Sequence, residues 1–303
     1  MYSCRNIMID SSRCFLVVVS PRAGGFRPAV CRLLEDEFRR AGHRLEFHFL
    51  STMSGLQSAV DLAIESGCED FLAVGGDGTV SRVASCLYGK PHALGIIPAG
   101  TANTLARVLG ISMNLRRAAR IAAARSRIAA IDALVVADKL CLLNVSVGVS
   151  SMSLDGLNAA QKAAAGMFSY VIGAAKATLK VTPCDYQVII DGQASTIRGV
   201  EIHVTNTGVI GVPQFHLYDK SILADGWVEV LGITHWTPQN ILDTALDIVL
   251  RRKRRALRFI GNGESNIIID CHQQMPVQGD GDIIGTTPVT INIASNAINL
   301  ILP

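Results

Sequence analysis

Two short stretches combine residue types that can handle a phosphoryl group. Phe71-Leu-Ala-Val-Gly75-Gly76-Asp77-Gly78-Thr79-Val80 puts a glycine turn directly after an apolar, strand-like run and directly before a helical pattern. Glycines there admit positive φ and let backbone N–H groups approach an anion, and the helix N-terminus behind them adds partial positive charge. Asp77 is a poor phosphate contact, so its carboxylate reads as a ligand to Mg²⁺ or its waters, or as a partner for ribose or backbone donors. A second turn, Gly95-Ile-Ile-Pro98-Ala-Gly100-Thr101-Ala-Asn103-Thr104, repeats the order strand, glycine, hydroxyl, helix. On adjacent parallel strands both turns open at the same carboxyl edge, where open α/β sheets hold ligands. Either alone could be an ordinary helix cap; two in succession, with Asp77, point to one shared phosphate pocket. Neither is GxGxxG or GxxxxGK[ST], so the dinucleotide and P-loop fingerprints are missing.

Other chemistry is sparser. Gln278-Gly-Asp280-Gly281-Asp282 offers two carboxylates in one turn, which reads as a general base or as a hairpin turn. Ala224-Asp225-Gly226 is a second Asp-Gly turn. Arg251, Arg252, Lys253, Arg254 and Arg255 follow an amphipathic segment. Such a run complements a helix C-terminus, or docks on an anionic membrane at about 1 kcal/mol per cation; without interleaved aromatics it is a poor nucleic-acid site. The seven histidines show no metal spacing, and the eight cysteines are scattered without a CxxC pair, so they read as buried thiols in a reducing compartment.

The elements that must position these groups follow from the pattern. The 303 residues make roughly two domains at ~150 residues each. With 49% hydrophobic and 17% charged residues, disorder, collagen and coiled coil are excluded. A net charge of +3 demands no nucleic-acid partner. Strands are predicted at 14–19, 44–50, 70–74 and 93–97, with helices at 28–41, 55–66 and 80–87 between them: a parallel sheet flanked by helices. Helices at 101–109 and 114–124 lead to a run at 128–136, and the character changes near residue 133. Beyond it, strands are predicted at 140–149, 186–191, 200–205, 227–234, 265–271 and 289–302, interrupted by helices at about 155–179 and 238–255. Residues 283–303 form a long uncharged stretch, but Pro288, Asn292, Asn296 and Asn299 fit strands rather than a membrane span. The first residues lack a basic-then-apolar leader, so a soluble, non-secreted chain is expected.

Gly75-Gly-Asp-Gly-Thr79 followed by Pro98-Ala-Gly-Thr-Ala-Asn103 closely resembles the catalytic-domain superfamily of diacylglycerol and sphingosine kinases, and in particular its soluble bacterial lipid kinases. Ser20-Pro-Arg-Ala-Gly24 sits where that family has Asn-Pro-x-Ser-Gly, Ile131-Asp132 matches its Ile/Val-Asp, Leu143-Asn144-Val145 its Ile-Asn strand, and Asp280-Gly-Asp282 its Asp-Gly-Glu. The resemblance implies an α/β nucleotide domain over residues 1–133 and a β-sandwich lipid-substrate domain over 134–289. The strands at about 290–303 would return to the first domain, and ATP and Mg²⁺ would bind in the cleft. It implies a nucleotide site at Ser20, Thr52, Gly75, Gly76, Asp77, Gly78, Thr79, Gly100, Thr101 and Asn103, with Asp280 as general base and Asp282 in the place of the family's Glu. Asp132 would join an interdomain charge network, its bland alternative being a strand residue facing solvent. Asp225 with Ile222 and Trp227 would hold a structural Mg²⁺, or simply form a turn. A cytoplasmic enzyme attached peripherally to an anionic membrane is expected, with a homodimer left open. Helical residues Met167, Phe168 and Tyr170 would line an acyl channel or belong to the core.

Departures are visible. The family's Asn is Ser20, its Asn-Glu after the glycine turn is Ser81-Arg82, its later Asp is Thr104, a common basic residue is Gly25, and a second-domain glycine cluster shrinks to Gly208 and Gly211. Arg22, Arg27 or Arg82 could replace positive charge. Diacylglycerol is the default acceptor, with a sphingoid base or ceramide as alternatives. A soluble-substrate kinase resembling NAD kinase and a non-catalytic binding descendant are the further alternatives; the former's Asn-Asn-Glu element is absent.

Overall fold

The computed structural model describes residues 12–154, 182–208, 224–234 and 257–303. The first half runs β1 (Cys14–Val19), α1 (Ala29–Arg40), β2 (Arg44–Phe49), α2 (Met53–Glu65), β3 (Asp70–Gly75), α3 (Asp77–Leu87), β4 (Ala93–Pro98), α4 (Thr104–Val108), α5 (Leu115–Ala124) and β5 (Arg127–Val136). Then come β6 (Lys139–Cys141), β7 (Asn144–Gly148), α6 (Val149–Leu154), β8 (Cys184–Ile190), β9 (Gln193–Gly199), β10 (Glu201–Thr205), β11 (Val228–Ile233), β12 (Leu257–Gly263), β13 (Asn266–Cys271), β14 (Pro276–Gly279), β15 (Asp282–Thr286) and β16 (Val289–Leu302).

β1, β3 and β4 are buried along their whole length, the pattern of parallel strands covered on both faces by helices. They are parallel neighbours with β2, in the order β2-β1-β3-β4. α1 buries Val30, Leu34 and Phe38, and α5 buries only alanines, which lets it lie close to the sheet. Glu37 joins these two helices by accepting from Arg116 at 2.8 Å and Arg120 at 2.9 Å.

The sheet continues from β4 into β16, β13, β8 and β9, with β5 and β6 attached. β16 runs parallel to β4 and antiparallel to β13 and β5. A second, six-stranded antiparallel sheet has the order β12-β11-β10-β7-β14-β15. Val145, Val147, Ile202, Val204 and Val230 from this sheet pack with Tyr186, Val188, Ile267, Ile269 and Ile291 from the first, giving a sandwich with its own core. β5 has no linker at the change of character near residue 133: its Ile131 and Ala133 lie in the first core, its Leu134 and Val136 in the second.

Three differences from the sequence expectation have clear causes. α3 starts at Asp77, not Val80, because Gly76 is the N-cap and Asp77 already belongs to the first turn. The predicted strand at 140–149 is broken at Leu142-Leu143, and β9, β12, β14 and β15 are additional; β9 and β12 read weakly because they are glycine-bearing or polar on one face. Cys14 and Cys68 form a disulfide across 54 positions, which corrects the reading of every cysteine as a thiol. Cys14 opens β1 and Cys68 just precedes β3, so it is the pairing of these strands that brings the two together. Residues 283–303 lie in β15 and β16, and among the described residues no helix is long and apolar enough to cross a membrane. The helices expected at 155–179 and 238–255, with Met167, Phe168 and Tyr170, lie outside the described residues.

The turn between β8 and β9 is an Asp191-Gly192 pair with both residues at positive φ, 46° and 84°. The Asp191 carboxylate accepts from the amides of Glu264, Ser265 and Asn266 at 2.8–2.9 Å, pinning this hairpin to the one between β12 and β13. Burial opposes its ionisation, but the three amides outweigh that and hold its pKa below the ordinary carboxylate range. The depressed pKa contributes stability that is present above the unfolded value of about 4 and lost as pH falls through the folded value. Asp191→Asn, which tolerates the left-handed conformation, should cost on the order of 1 kcal/mol at neutral pH, because water replaces part of an exposed interaction. In thermal melts against pH the gap to the parent should narrow below about pH 4; a gap unchanged with pH would remove the charge from the explanation.

Candidate active site at the carboxyl edge of the parallel sheet

Gly75 at the end of β3 lies opposite Pro98 at the end of β4, so the two glycine turns leave the sheet side by side. The amides of Ala99 and Gly100 both donate to the Gly75 carbonyl, at 2.9 and 3.1 Å. The contact is at backbone level: a Cβ on Gly100 would stand 2.3 Å from the Gly76 Cα. The loop after β1 joins them, Ser20 N donating to Val74 O at 3.0 Å and Gly25 N to Ala99 O at 2.8 Å. A Cβ on Gly25 would meet that same Ala99 oxygen at 2.9 Å, so a side chain does not fit here without a backbone shift. Arg27 turns back on its own loop, donating to the Phe26 carbonyl at 2.6 Å.

Of the partners open to Asp77, the structure supplies backbone donors. Its two oxygens accept from Thr104 N and Leu105 N, each at 3.0 Å, so the first turn caps the short helix that follows the second. Asn103, at φ 50°, folds back on that second turn, its Oδ1 accepting from Gly100 N and its Nδ2 donating to Gly100 O, both at 2.9 Å. α3 itself has Gly76 at its N-cap and no side-chain cap; Thr79 N donates to Gly76 O at 2.9 Å, which leaves the amides of Asp77 and Gly78 for an incoming anion. Thr79 is buried under the turn, Gly78 and Thr101 are exposed, and Thr52 caps α2 through Gly55 N at 3.2 Å. The residues fit a phosphate chain: a cradle closed to a Cβ at Gly75 and Gly100, beneath an uncapped helix start.

Asp280 sits in the β14–β15 turn at φ 49°, followed by Gly281 at φ 89°. Its Oδ2 accepts from the Ser81 hydroxyl at 2.7 Å and from Leu142 N at 2.8 Å. Its Oδ1 accepts from Leu143 N at 2.9 Å and Asn144 N at 3.1 Å. Burial pushes its pKa up, and the hydroxyl and the three amides pull against that. All four acceptor positions are therefore occupied, and a carboxylate so placed takes a substrate proton only by giving up a donor. This geometry speaks against Asp280 as the free general base and makes it an anchor between Ser81 on α3 and the β6–β7 turn. Asp282 in the same turn is exposed.

The remaining predicted residues have other surroundings. Asp132 is 1% exposed, and its two oxygens accept from Gly226 N and Asn296 N, both at 2.7 Å, so it is not a strand residue facing solvent. Asp225 is exposed and accepts from Trp227 N at 3.1 Å, an Asx turn; Ile222 lies outside the described residues, as do Arg251, Arg252, Lys253, Arg254 and Arg255. Among the described residues, the one group of three or more His, Cys, Asp or Glu with metal-ligand proximity is Cys14, Glu46 and Cys68, far along β1 from the glycine turns. Sequence reasoning missed the Ser81–Asp280 bond, although Ser81 stood out as a departure, and it missed Gln278, whose carboxamide carries no motif.

The sequence matches the diacylglycerol kinase catalytic domain over residues 14–136 and the YegS C-terminal NAD kinase beta sandwich-like domain over residues 143–302. A Citrobacter koseri protein named "Probable lipid kinase YegS-like" is 29% identical, the match covering 82% of each chain. An uncharacterised Synechocystis protein is 26% identical over 77% of this chain but only 54% of its own length. The crystal structure of a diacylglycerol kinase from Bacillus anthracis superposes with a TM-score of 0.78 at 20% identity, over 96% of this chain and 97% of that one, which establishes the shared fold. With a nucleotide-type α/β domain, a sandwich returning its final strand to that domain, and both family models matched in order, the chain belongs to the diacylglycerol kinase-like, YegS-like lipid kinase family of phosphotransferases.

Proposed function

We propose that this kinase transfers the γ-phosphate of ATP to a primary hydroxyl of a membrane lipid, with diacylglycerol as the acceptor. The observation that carries the reading is the 2.7 Å bond from Ser81 to Asp280, which puts the acceptor-side carboxylate turn within one side chain of the helix that starts at the phosphate cradle. ATP phosphates would lie against the amides of Gly76, Asp77 and Gly78, with Ser20, Thr101 and Asn103 around them. Mg²⁺ on those phosphates would supply charge neutralisation, and Asp77, whose two oxygens accept from Thr104 N and Leu105 N, would orient its waters. Glycine-turn amides aimed at the transferring group stabilise its charge without reorganising. Asp282, which stands in the place of the family's Glu and is exposed in the same turn, is the group we assign to accept the hydroxyl proton. Docking is assigned to Arg251, Arg252, Lys253, Arg254 and Arg255, whose cations favour an anionic leaflet.

Four outcomes test this. Labelled ATP with Mg²⁺ and mixed micelles of diacylglycerol, monoacylglycerol, ceramide, sphingosine or NAD should label diacylglycerol; label on NAD alone, or on none, would overturn the lipid reading. Asp282→Asn should lower kcat by about a hundredfold or more and cost less melting temperature than Asp280→Asn. Asp280→Asn, which turns an amide against at least one donor, should lower the melting temperature as well. If Asp280→Asn loses transfer at full stability while Asp282→Asn stays active, the base is Asp280. Replacing the five cations at 251–255 by glutamine should weaken binding to phosphatidylserine vesicles but not to neutral ones.

A further inference from the structure

Behind the Asp280-Gly281 turn lies a row of buried polar groups that the proposed chemistry does not use. Gly281 N donates to Gln278 Oε1 at 2.8 Å, which fixes the carboxamide with its nitrogen on the other side. That nitrogen donates to Asn144 Oδ1 and to Ser146 Oγ, both at 2.8 Å. Ser146 and Ser150 hydroxyls are 2.6 Å apart, and Ser150 Oγ donates to Glu201 Oε1 at 2.7 Å. Since Ser150 gives its single proton to the carboxylate, Ser146 must donate to Ser150, so every bond in the row points from the turn toward Glu201.

The register explains how the row is assembled: Ser146 on β7 lies opposite both Gln278 on β14 and His203 on β10, and Glu201 lies opposite Gly148. Gln278, Ser146 and Glu201 are 4%, 0% and 3% exposed. A carboxylate buried to this degree is costly unless its hydrogen bonds are made. Glu201 also accepts from Ser150 N at 3.2 Å, and the ring of His203 stands 3.7 Å away. An oriented row ending on a charge strengthens each bond along it.

We propose that Gln278, Ser146, Ser150 and Glu201 are positioning residues, an oriented hydrogen-bond row that fixes the Asp280-Gly281 turn, and so the direction of Asp282, from a buried carboxylate. Asp-Gly is a favoured pair for a turn with two successive left-handed residues, so the row fixes the orientation of the turn and not its shape. Asp280 is held by Ser81 on α3 and by the β6–β7 amides; the row holds Gly281 from inside the second domain. The catalytic half of this inference rests on the kinase reading above.

Ser150 is the position to test, since it lies off the turn and touches neither Asp280 nor Gly281. In the full chain, Ser150→Ala should speed exchange of the Gly281 amide, read by NMR on ¹⁵N-glycine-labelled protein. It should also lower kcat by about tenfold or more with KM for ATP unchanged. Ser150→Thr, which keeps the hydroxyl, should restore both, and Glu201→Gln, nearly isosteric, should behave as Ser150→Ala does. Unchanged Gly281 exchange in Ser150→Ala and Glu201→Gln overturns the row. Faster exchange with unaltered kcat, a parallel change in kcat and KM for ATP, or no rescue by threonine overturns its role in positioning. A parent that labels no acceptor overturns the kinase reading and the catalytic half with it, while Gly281 exchange still decides whether the row holds the turn.

Discussion

The carboxylate of Asp280 is the constraint on which the site depends. It accepts from one hydroxyl on α3 and three consecutive amides at the β6–β7 turn, so one carboxyl group sets the distance between the glycine turns and the second domain. Charge-assisted bonds of this kind are stronger than neutral ones, and unmaking one strands a partly buried donor or acceptor. The same logic operates at the nucleotide end, where Asp77 joins the start of α3 to the start of α4. Each of these carboxylates joins two elements by accepting backbone amides, and the glycines between them allow the chains to touch.

The two halves are not beads on a linker. β5 and β16 pair along most of their length and contribute side chains to both cores. Their ladder is interrupted between Ala294 and Ile298, where Asn296 takes a left-handed φ of 52° and donates to Asp132. That bulge bends β16 at the junction, and the second oxygen of Asp132 reaches Gly226, so the Asp225-Gly226 turn is tied to the same point. A clamp of this sort favours a fixed angle between the sheets over free hinge motion, and puts any closure around a ligand in the loops.

Much of the site was legible because glycine and aspartate at strand ends have few uses. The runs ending in Gly75 and Pro98 are apolar throughout, which is what doubly covered parallel strands require, and their adjacency follows from the short crossover. Fold class was legible for the same reason. The division of labour between Asp280 and Asp282 was not: it depends on amides about 140 positions earlier in the chain, and no spacing rule connects them. Nor could the pattern give the Cys14–Cys68 bond, which follows from strand order, or the polar row through Gln278, whose residues alternate with core valines and look like ordinary outward positions until a register is assigned. The weak strands β14 and β15 read as nothing more than the flanks of a turn.

The place of β16 between β4 and β13 has a consequence for how the molecule is made. As the chain is synthesised, the α/β half can collapse around β1, β3 and β4, but the hydrogen-bonding edge of β4 that β16 will cover has no partner until the whole second domain has followed. For that interval β4, an uncharged Ala-Leu-Gly-Ile-Ile-Pro run, is an exposed edge of the kind that pairs with other chains. A fragment ending at Val136 would keep it permanently open. The α/β half is thus a unit of recognition in sequence without being a unit of assembly: its sheet is closed by a strand that the chain reaches only after building the second domain.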